Sequence, residues 1–180
     1  ILERGEGDSD AGARWWAQAA GLVPVASFTV AKLRWVAENE AEYARKIAAV
    51  CLPRDWLSWK IRGGFEAVGL EGLCTDRSDA SGTGYMDRAD AVYRREILAQ
   101  ALRISLEEAE AIILPKICDP VEAMGFGDPR HGWGEIAIGP GCGDNAGAAL
   151  GVGLGVGQAP LSLGTSGVVA VVSETPVEDP

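Results

Sequence analysis

Two glycine-bounded polar turns hold the residues of this chain best suited to chemistry. The first is Gly139-Pro140-Gly141-Cys142-Gly143-Asp144-Asn145, which follows a short apolar run, Ile136-Ala137-Ile138, and precedes small helix formers beginning at Asp144. That order predicts a strand, a loop with little side chain in it, and a helix that opens on a carboxylate. Free amides and the helix dipole favour negative charge at such a position, which suits a carboxylate that accepts a proton. The second turn is Gly164-Thr165-Ser166-Gly167, between apolar β-prone runs at residues 161–163 and 168–172. Its amides and hydroxyls suit a phosphate, and the flanking runs are expected to pair as an antiparallel hairpin over it.

Read locally, the first turn leaves three readings open. A carboxylate general base is one. Gly141-x-Gly143-x-x-x-Gly147 between strand and helix also fits a dinucleotide-binding turn, so an oxidoreductase is the rival from another class. Two details count against that rival: Asp144 would face the bound pyrophosphate with its own charge, and no acidic residue ends a strand about 20 positions later to take a ribose. The third reading is structural, with glycines that permit close helix packing and Asp144 as an N-cap.

Composition narrows the function classes. A length of 180 residues allows one domain, or one and a part of another, and 47% hydrophobic content with six Trp is enough to build a core. A formal net charge of −10 and a pI near 4.6 give no positive field for a nucleic-acid backbone or an anionic membrane, so a small neutral substrate is the easier partner. Cys51, Cys74, Cys118 and Cys142 form no C-x-x-C pair and His131 stands alone, so no metal set is expected and four free thiols fit a reducing cytoplasm. There is neither an 18-residue apolar run nor a charged-then-apolar leader, and a soluble, cytoplasmic protein is expected.

The elements that must position these turns follow from periodicity and punctuation. A helix is predicted over residues 11–20 and stopped by Gly21, with Trp15 and Trp16 as core or cover residues. Thr29 is expected to cap a helix from Val30 that places Leu33, Val36 and Ala37 on one face. An acidic break follows at 38–42, then a second helix over 43–49 and a short strand over 50–52. Pro53 fits the first turn of a helix running to Lys60 and ended by Gly63-Gly64. Residues 65–74 read as a connection or small hairpin, and 75–83 as a polar turn bonded to its own backbone. A helix is predicted over 91–102, and Ser105-Leu106-Glu107-Glu108 is a capping box for another reaching about Ile113 before Pro115. Residues 116–134 read as an irregular passage, with His131 on the surface.

Several stretches in one order carry a family resemblance. Phe28-Thr29-Val30-Ala31-Lys32-Leu33-Arg34-Trp35, Cys51-Leu52-Pro53-Arg54-Asp55-Trp56-Leu57, Asp76-Arg77-Ser78-Asp79-Ala80-Ser81-Gly82-Thr83, Gly141-Cys142-Gly143-Asp144-Asn145-Ala146-Gly147 and Leu161-Ser162-Leu163-Gly164-Thr165-Ser166-Gly167 together resemble the FGGY family of carbohydrate kinases, its xylulose-phosphorylating members above all. The resemblance covers roughly residues 20–180. It implies an α/β fold of the actin-like, RNase-H-like ATPase type, present in part. It also implies ATP-dependent phosphorylation of a ketopentose, D-xylulose before ribulose, gluconate or glycerol.

By the same resemblance Asp144 is the general base, Asn145 holds a sugar hydroxyl, and Gly164, Thr165, Ser166 and Gly167 receive ATP phosphate. Mg²⁺ accompanies ATP, and no residue of this chain is assigned to a metal. The stretch 75–83 lies near the cleft in the family, without a role fixed for Asp76, Arg77, Ser78 or Asp79. Residues 1–157 correspond to the later part of a first, sugar-binding domain and 158–180 to the start of a second. The implied partners are a small sugar and ATP, with neither nucleic acid nor membrane, and the complete enzyme could form a homodimer. The phosphate loop near the start of such kinases and their adenosine site have no counterpart in the sequence, so a central slice of a kinase is expected. Purified alone, the 180-residue chain should therefore release no ADP from ATP with any sugar; sugar-dependent ADP release would contradict the slice reading.

Overall fold

The computed structural model describes residues 3–165, 167–175 and 177. Its main core is a helical cluster. The helix Ser9–Ala20 starts where Asp8 accepts the amides of Asp10 and Ala11, and ends where Gly21, at φ 68°, turns left-handed and returns its N–H to Ala17. Trp16 is buried from this helix, and Trp15 meets it edge-on at 5.2 Å between ring centroids while packing on the core. Thr29–Asn39 adds Val30 and Leu33, Arg95–Leu102 adds Ile97, Leu98, Ala99, Ala101 and Leu102, and Leu106–Ala111 adds Ala109. The last of these carries the expected capping box between Ser105 and Glu108.

Short strands sit beside that core. Cys74–Asp76 pairs in parallel with Lys116–Cys118, in the register Cys74↔Lys116, Thr75↔Ile117, Asp76↔Cys118. All three residues of the first strand are buried, as suits a parallel strand covered on both faces. Gly125–Phe126 pairs antiparallel with Ala137–Ile138, and Cys74, Cys118 and Met124 form a second small cluster against Ile138. Leu161–Leu163 pairs antiparallel with Gly167–Val169, so the expected hairpin forms; Ser166, in its turn, lies outside the described residues.

Several local expectations give way to tertiary bonding. Thr29 is the first helical residue and Phe28 the cap, because the Ala31 and Lys32 amides that a Thr29 side chain would serve are bonded to the Phe28 carbonyl at 3.2 and 3.3 Å. The helix expected over 43–49 is reduced to Ala41–Ala44. The chain is drawn instead into a parallel bridge between Ala49 and Ile113, which also replaces the strand expected at 50–52. Within 91–102, Val92–Tyr93 pairs with Met86–Asp87, and the helix begins only at Arg95. Asp87 accepts the amides of Ala89 and Asp90 and binds Arg94 at 2.6 Å, closing that hairpin. Beyond the helix Pro53–Ile61, the stretch taken as a connection holds a helix, Gly64–Val68, and a 3-10 turn, Leu70–Gly72, tied back by the Trp59 indole N–H on the Gly69 carbonyl at 2.6 Å.

Leu98, 0% exposed, lies at the centre of the helical cluster, whereas Val121 is 97% exposed. Leu98→Ala is expected to lower the unfolding free energy by about 2–5 kcal/mol in a urea titration followed by tryptophan fluorescence, and Val121→Ala by under about 0.5 kcal/mol.

Candidate active site

The loop that precedes Asp144 is reached by Arg54 and Ser78, and both of these bond the buried Asp76. Asp76 ends the strand Cys74–Asp76 and caps the short helix Arg77–Ser81, accepting the amides of Ser78 at 2.8 Å and Asp79 at 3.1 Å on Oδ1. The Ser78 hydroxyl donates to the same oxygen. The other oxygen, Oδ2, accepts from Arg54 Nη2 at 2.5 Å. Arg54 stands in the first turn of the helix Pro53–Ile61, where Pro53 needs no amide partner and Asp55 Oδ2 accepts the Leu52 amide at 2.9 Å.

The Arg54 guanidinium serves several acceptors at once. Nε donates to Asp79 Oδ2 at 2.8 Å, Nη2 approaches Thr75 Oγ1 at 3.4 Å and Asp55 Oδ1 at 3.2 Å, and Nη1 donates to the Pro140 carbonyl. The planar fork makes this possible, since its five N–H groups diverge in fixed directions. Three residues past Pro140, the Gly143 amide donates to Ser78 Oγ at 2.7 Å. Gly143 is the N-cap of the helix Asp144–Gly151, and its carbonyl accepts the Gly147 amide at 2.9 Å.

Asp144 is thus the first helical residue and not the cap; it is exposed, and its Oδ1 accepts the Asn145 amide at 2.8 Å. Asn145 is exposed beside it. An open cleft of about 830 Å³ is lined by Asp76, Ser78 and Arg88, by Gly141, Cys142, Ala146 and Leu150 of the loop and this helix, and by Ser173 and Thr175. Gly164, Thr165 and Gly167 lie exposed in and beside the hairpin turn, and no hydrogen bond among the described residues joins that turn to the Asp144 helix. Ser166 lies outside the described residues. Asp144 and Asn145 therefore fall together at the start of one helix, whose next residue, Ala146, lines the cleft, and the phosphate-turn residues form a separate group.

Burial alone would raise the Asp76 pKa, but the Ser78 hydroxyl, the Asp79 amide, the Arg54 charge and the Ser78 amide outweigh it and hold Asp76 below its ordinary value of 3.8. Burial pushes Asp55 up instead, against its Leu52 hydrogen bond and the Arg54 charge. Among the described residues no group of three or more His, Cys, Asp or Glu is placed to hold a metal ion, so no step is assigned to a metal bound by this chain. Arg54 and Ser78 are the site residues that the sequence reading left without a role. The signal available was that both lie in motif stretches, a lone cation in Leu52-Pro53-Arg54-Asp55 and a polar turn in Asp76-Arg77-Ser78-Asp79.

The chain has known relatives. Residues 10–151 match the N-terminal domain of the FGGY family of carbohydrate kinases. The chain belongs to that family. This FGGY chain is 42% identical over 177 residues to the xylulose kinase of Streptomyces coelicolor, covering 96% of itself and 34% of that protein. It is 36% identical over 159 residues to the Escherichia coli xylulose kinase, covering 86% of itself and 30% of the relative. The crystal structure of the Bifidobacterium adolescentis xylulose kinase superposes with a TM-score of 0.86 at 47% identity, over 94% of the chain and 37% of the neighbour. A Plasmodium falciparum glycerol kinase shares the fold at a TM-score of 0.74 and 20% identity, over 88% of the chain and 30% of the neighbour. The FGGY chain therefore has the α/β, actin-like ATPase fold in part, and it spans about a third of the length of the curated relatives it matches. Membership decides against the dinucleotide-binding alternative. No helix among the described residues is long and apolar enough to cross a membrane.

The two perturbed carboxylates act in separate pH windows. Stability contributed by Asp76 is fully present above 3.8 and lost as pH falls through its depressed folded value. Ionised Asp55 opposes folding at neutral pH, and that cost disappears as pH falls through its raised folded value toward 3.8. Asp76→Asn should accordingly cost about 2 kcal/mol at pH 7, discounted from the 3–5 typical of a fully buried pair because Arg54 is partly exposed. It should also flatten the stability loss below pH 3.8 in acid melting curves.

Proposed function

We propose that this chain supplies the base-bearing part of an ATP-dependent ketopentose kinase that converts D-xylulose to D-xylulose 5-phosphate. The observation that carries the reading is the exposed Asp144 carboxylate in the first turn of its helix, at the end of a glycine loop held from two sides whose Gly141 and Cys142 line the cleft. The sugar assignment draws on the 42% identity to a xylulose kinase over nearly the whole chain.

In this scheme Asp144 takes the proton from the sugar hydroxyl as its oxygen attacks the γ-phosphorus, and ADP leaves with the electrons of the broken P–O bond. Asn145 holds a neighbouring hydroxyl and so fixes which oxygen attacks. Gly164, Thr165, Ser166 and Gly167 receive ATP phosphate, with Mg²⁺ arriving on the nucleotide. Phosphoryl transfer demands little more than alignment, charge neutralisation and exclusion of water, so one base with amide and hydroxyl donors is a sufficient protein contribution. We place the division between the sugar-binding part and the start of the ATP-binding part at residues 157/158, six residues beyond the family match. The site works in the cytoplasm as part of a complete kinase.

A coupled ADP-release assay of the complete protein against ketoses and polyols tests the substrate, with D-xylulose expected to give the highest kcat/KM and a preference for glycerol or gluconate overturning the assignment. Asp144→Asn keeps size and hydrogen-bonding edge and removes the proton acceptor. It should lower kcat roughly a hundredfold or more and change sugar affinity by under about tenfold. Near-normal turnover with a lowered melting temperature would make Asp144 a structural residue.

A further inference from the structure

We infer that Ser78 and Arg54 are positioning residues that fix the orientation of the helix opening on Asp144 and so the direction of that carboxylate. The inference rests on the reading of Asp144 as the base and adds to it how that base is aimed. The helix Asp144–Gly151 buries none of its residues, so packing against the core does not fix its orientation. The loop before it offers no stiffness of its own, since three of its five residues are glycine and Gly141 lies at φ 70°. What fixes it is polar and comes from both sides of Gly141 and Cys142: the Pro140 carbonyl accepts from Arg54 Nη1, and the Gly143 amide donates to Ser78 Oγ at 2.7 Å.

The polarity of the Ser78 tether is forced. Its only proton goes to Asp76 Oδ1, so toward Gly143 the hydroxyl presents a lone pair, which an amide N–H alone among backbone groups can use. Asp76 splits its oxygens between the tethers, Oδ1 to Ser78 and Oδ2 to Arg54, so one buried carboxylate locks both. Because Gly143 is also the N-cap, its amide is held by Ser78 while its carbonyl starts the helical bonds. A Cβ on Gly143 would stand 3.1 Å from Asp79 Oδ1, so a larger residue there would push that side chain back by a few tenths of an ångström.

The test uses the complete kinase, with Ser78→Ala, Ser78→Thr, Arg54→Lys and, as reference, Asp144→Asn. Ser78→Ala removes the acceptor for Gly143, and Arg54→Lys keeps the charge without the fork that reaches Asp76, Asp79 and Pro140 together. Each is expected to lower kcat by roughly ten- to a hundredfold, the scale of a misaimed catalytic group, with sugar Kd within about threefold. Ser78→Thr should recover most of that loss. Hydrogen exchange at the Gly143 amide should accelerate in Ser78→Ala and stay slow in Ser78→Thr, a readout independent of turnover. If Ser78→Ala does not fold, Arg54→Lys and Ser78→Thr decide the matter by the same kcat and Kd comparison. Should Asp144→Asn lose kcat while Ser78→Ala and Arg54→Lys turn over normally, the positioning claim falls and the base reading stands. Should Asp144→Asn itself keep kcat, the base reading falls first.

Discussion

The guanidinium of Arg54 meets Asp55, Asp76 and Asp79 and still has a donor left for the Pro140 carbonyl. These partners come from four places in the chain: the first turn of the helix Pro53–Ile61, the end of the strand Cys74–Asp76, the helix Arg77–Ser81 and the glycine loop before Asp144. Without a fork-shaped cation at that point, three carboxylates would face one another across a part of the fold that keeps Asp55 1% and Asp76 7% side-chain exposed. Like charges that close are costly, and the pairing removes the conflict while fixing direction.

Magnitudes decide what such a hub does. At an effective dielectric constant near 20, two unit charges about 4 Å apart attract by ~4 kcal/mol, but withdrawing each ion from water costs several kcal/mol, so the net stabilisation is small. Apolar burial in the helical cluster built on Trp16, Leu33, Ile97, Leu98 and Leu102 carries the stability of the fold. The polar hub adds placement. It joins the strand edge, which the core holds firmly, to a loop and helix that the core does not hold, and so conveys rigidity from one to the other through hydrogen bonds of defined length. A kinase of this family needs that more than it needs extra stability, because phosphoryl transfer is largely a matter of alignment.

Legibility in the sequence followed the range of the interactions. Helices bounded by local chemistry were readable: Gly21 as a stop, Pro53 as a start, the Ser105–Glu108 box and the Leu161–Val169 hairpin all depend on residues within a few positions of one another. An element fixed by a distant partner was misread where the Ala49–Ile113 bridge overrides a helix-prone run, and a local one where Val92–Tyr93 pairs with Met86–Asp87 ahead of the helix. Asp144 stood out because its glycine neighbours are unusual. Arg54 and Ser78 did not, since their partners lie 86 and 65 residues away along the chain, and periodicity carries no trace of such contacts. Their presence inside motif stretches marked the region without disclosing the bonds.

The most direct test of the central claim is a crystal structure of the complete protein with D-xylulose bound, read for one distance. The account predicts an Asp144 carboxylate oxygen within about 2.6–3.2 Å of the hydroxyl to be phosphorylated, with the Gly143 amide still on Ser78 Oγ. A sugar bound elsewhere, or held with Asp144 turned away from every hydroxyl while that amide bond persists, would contradict it.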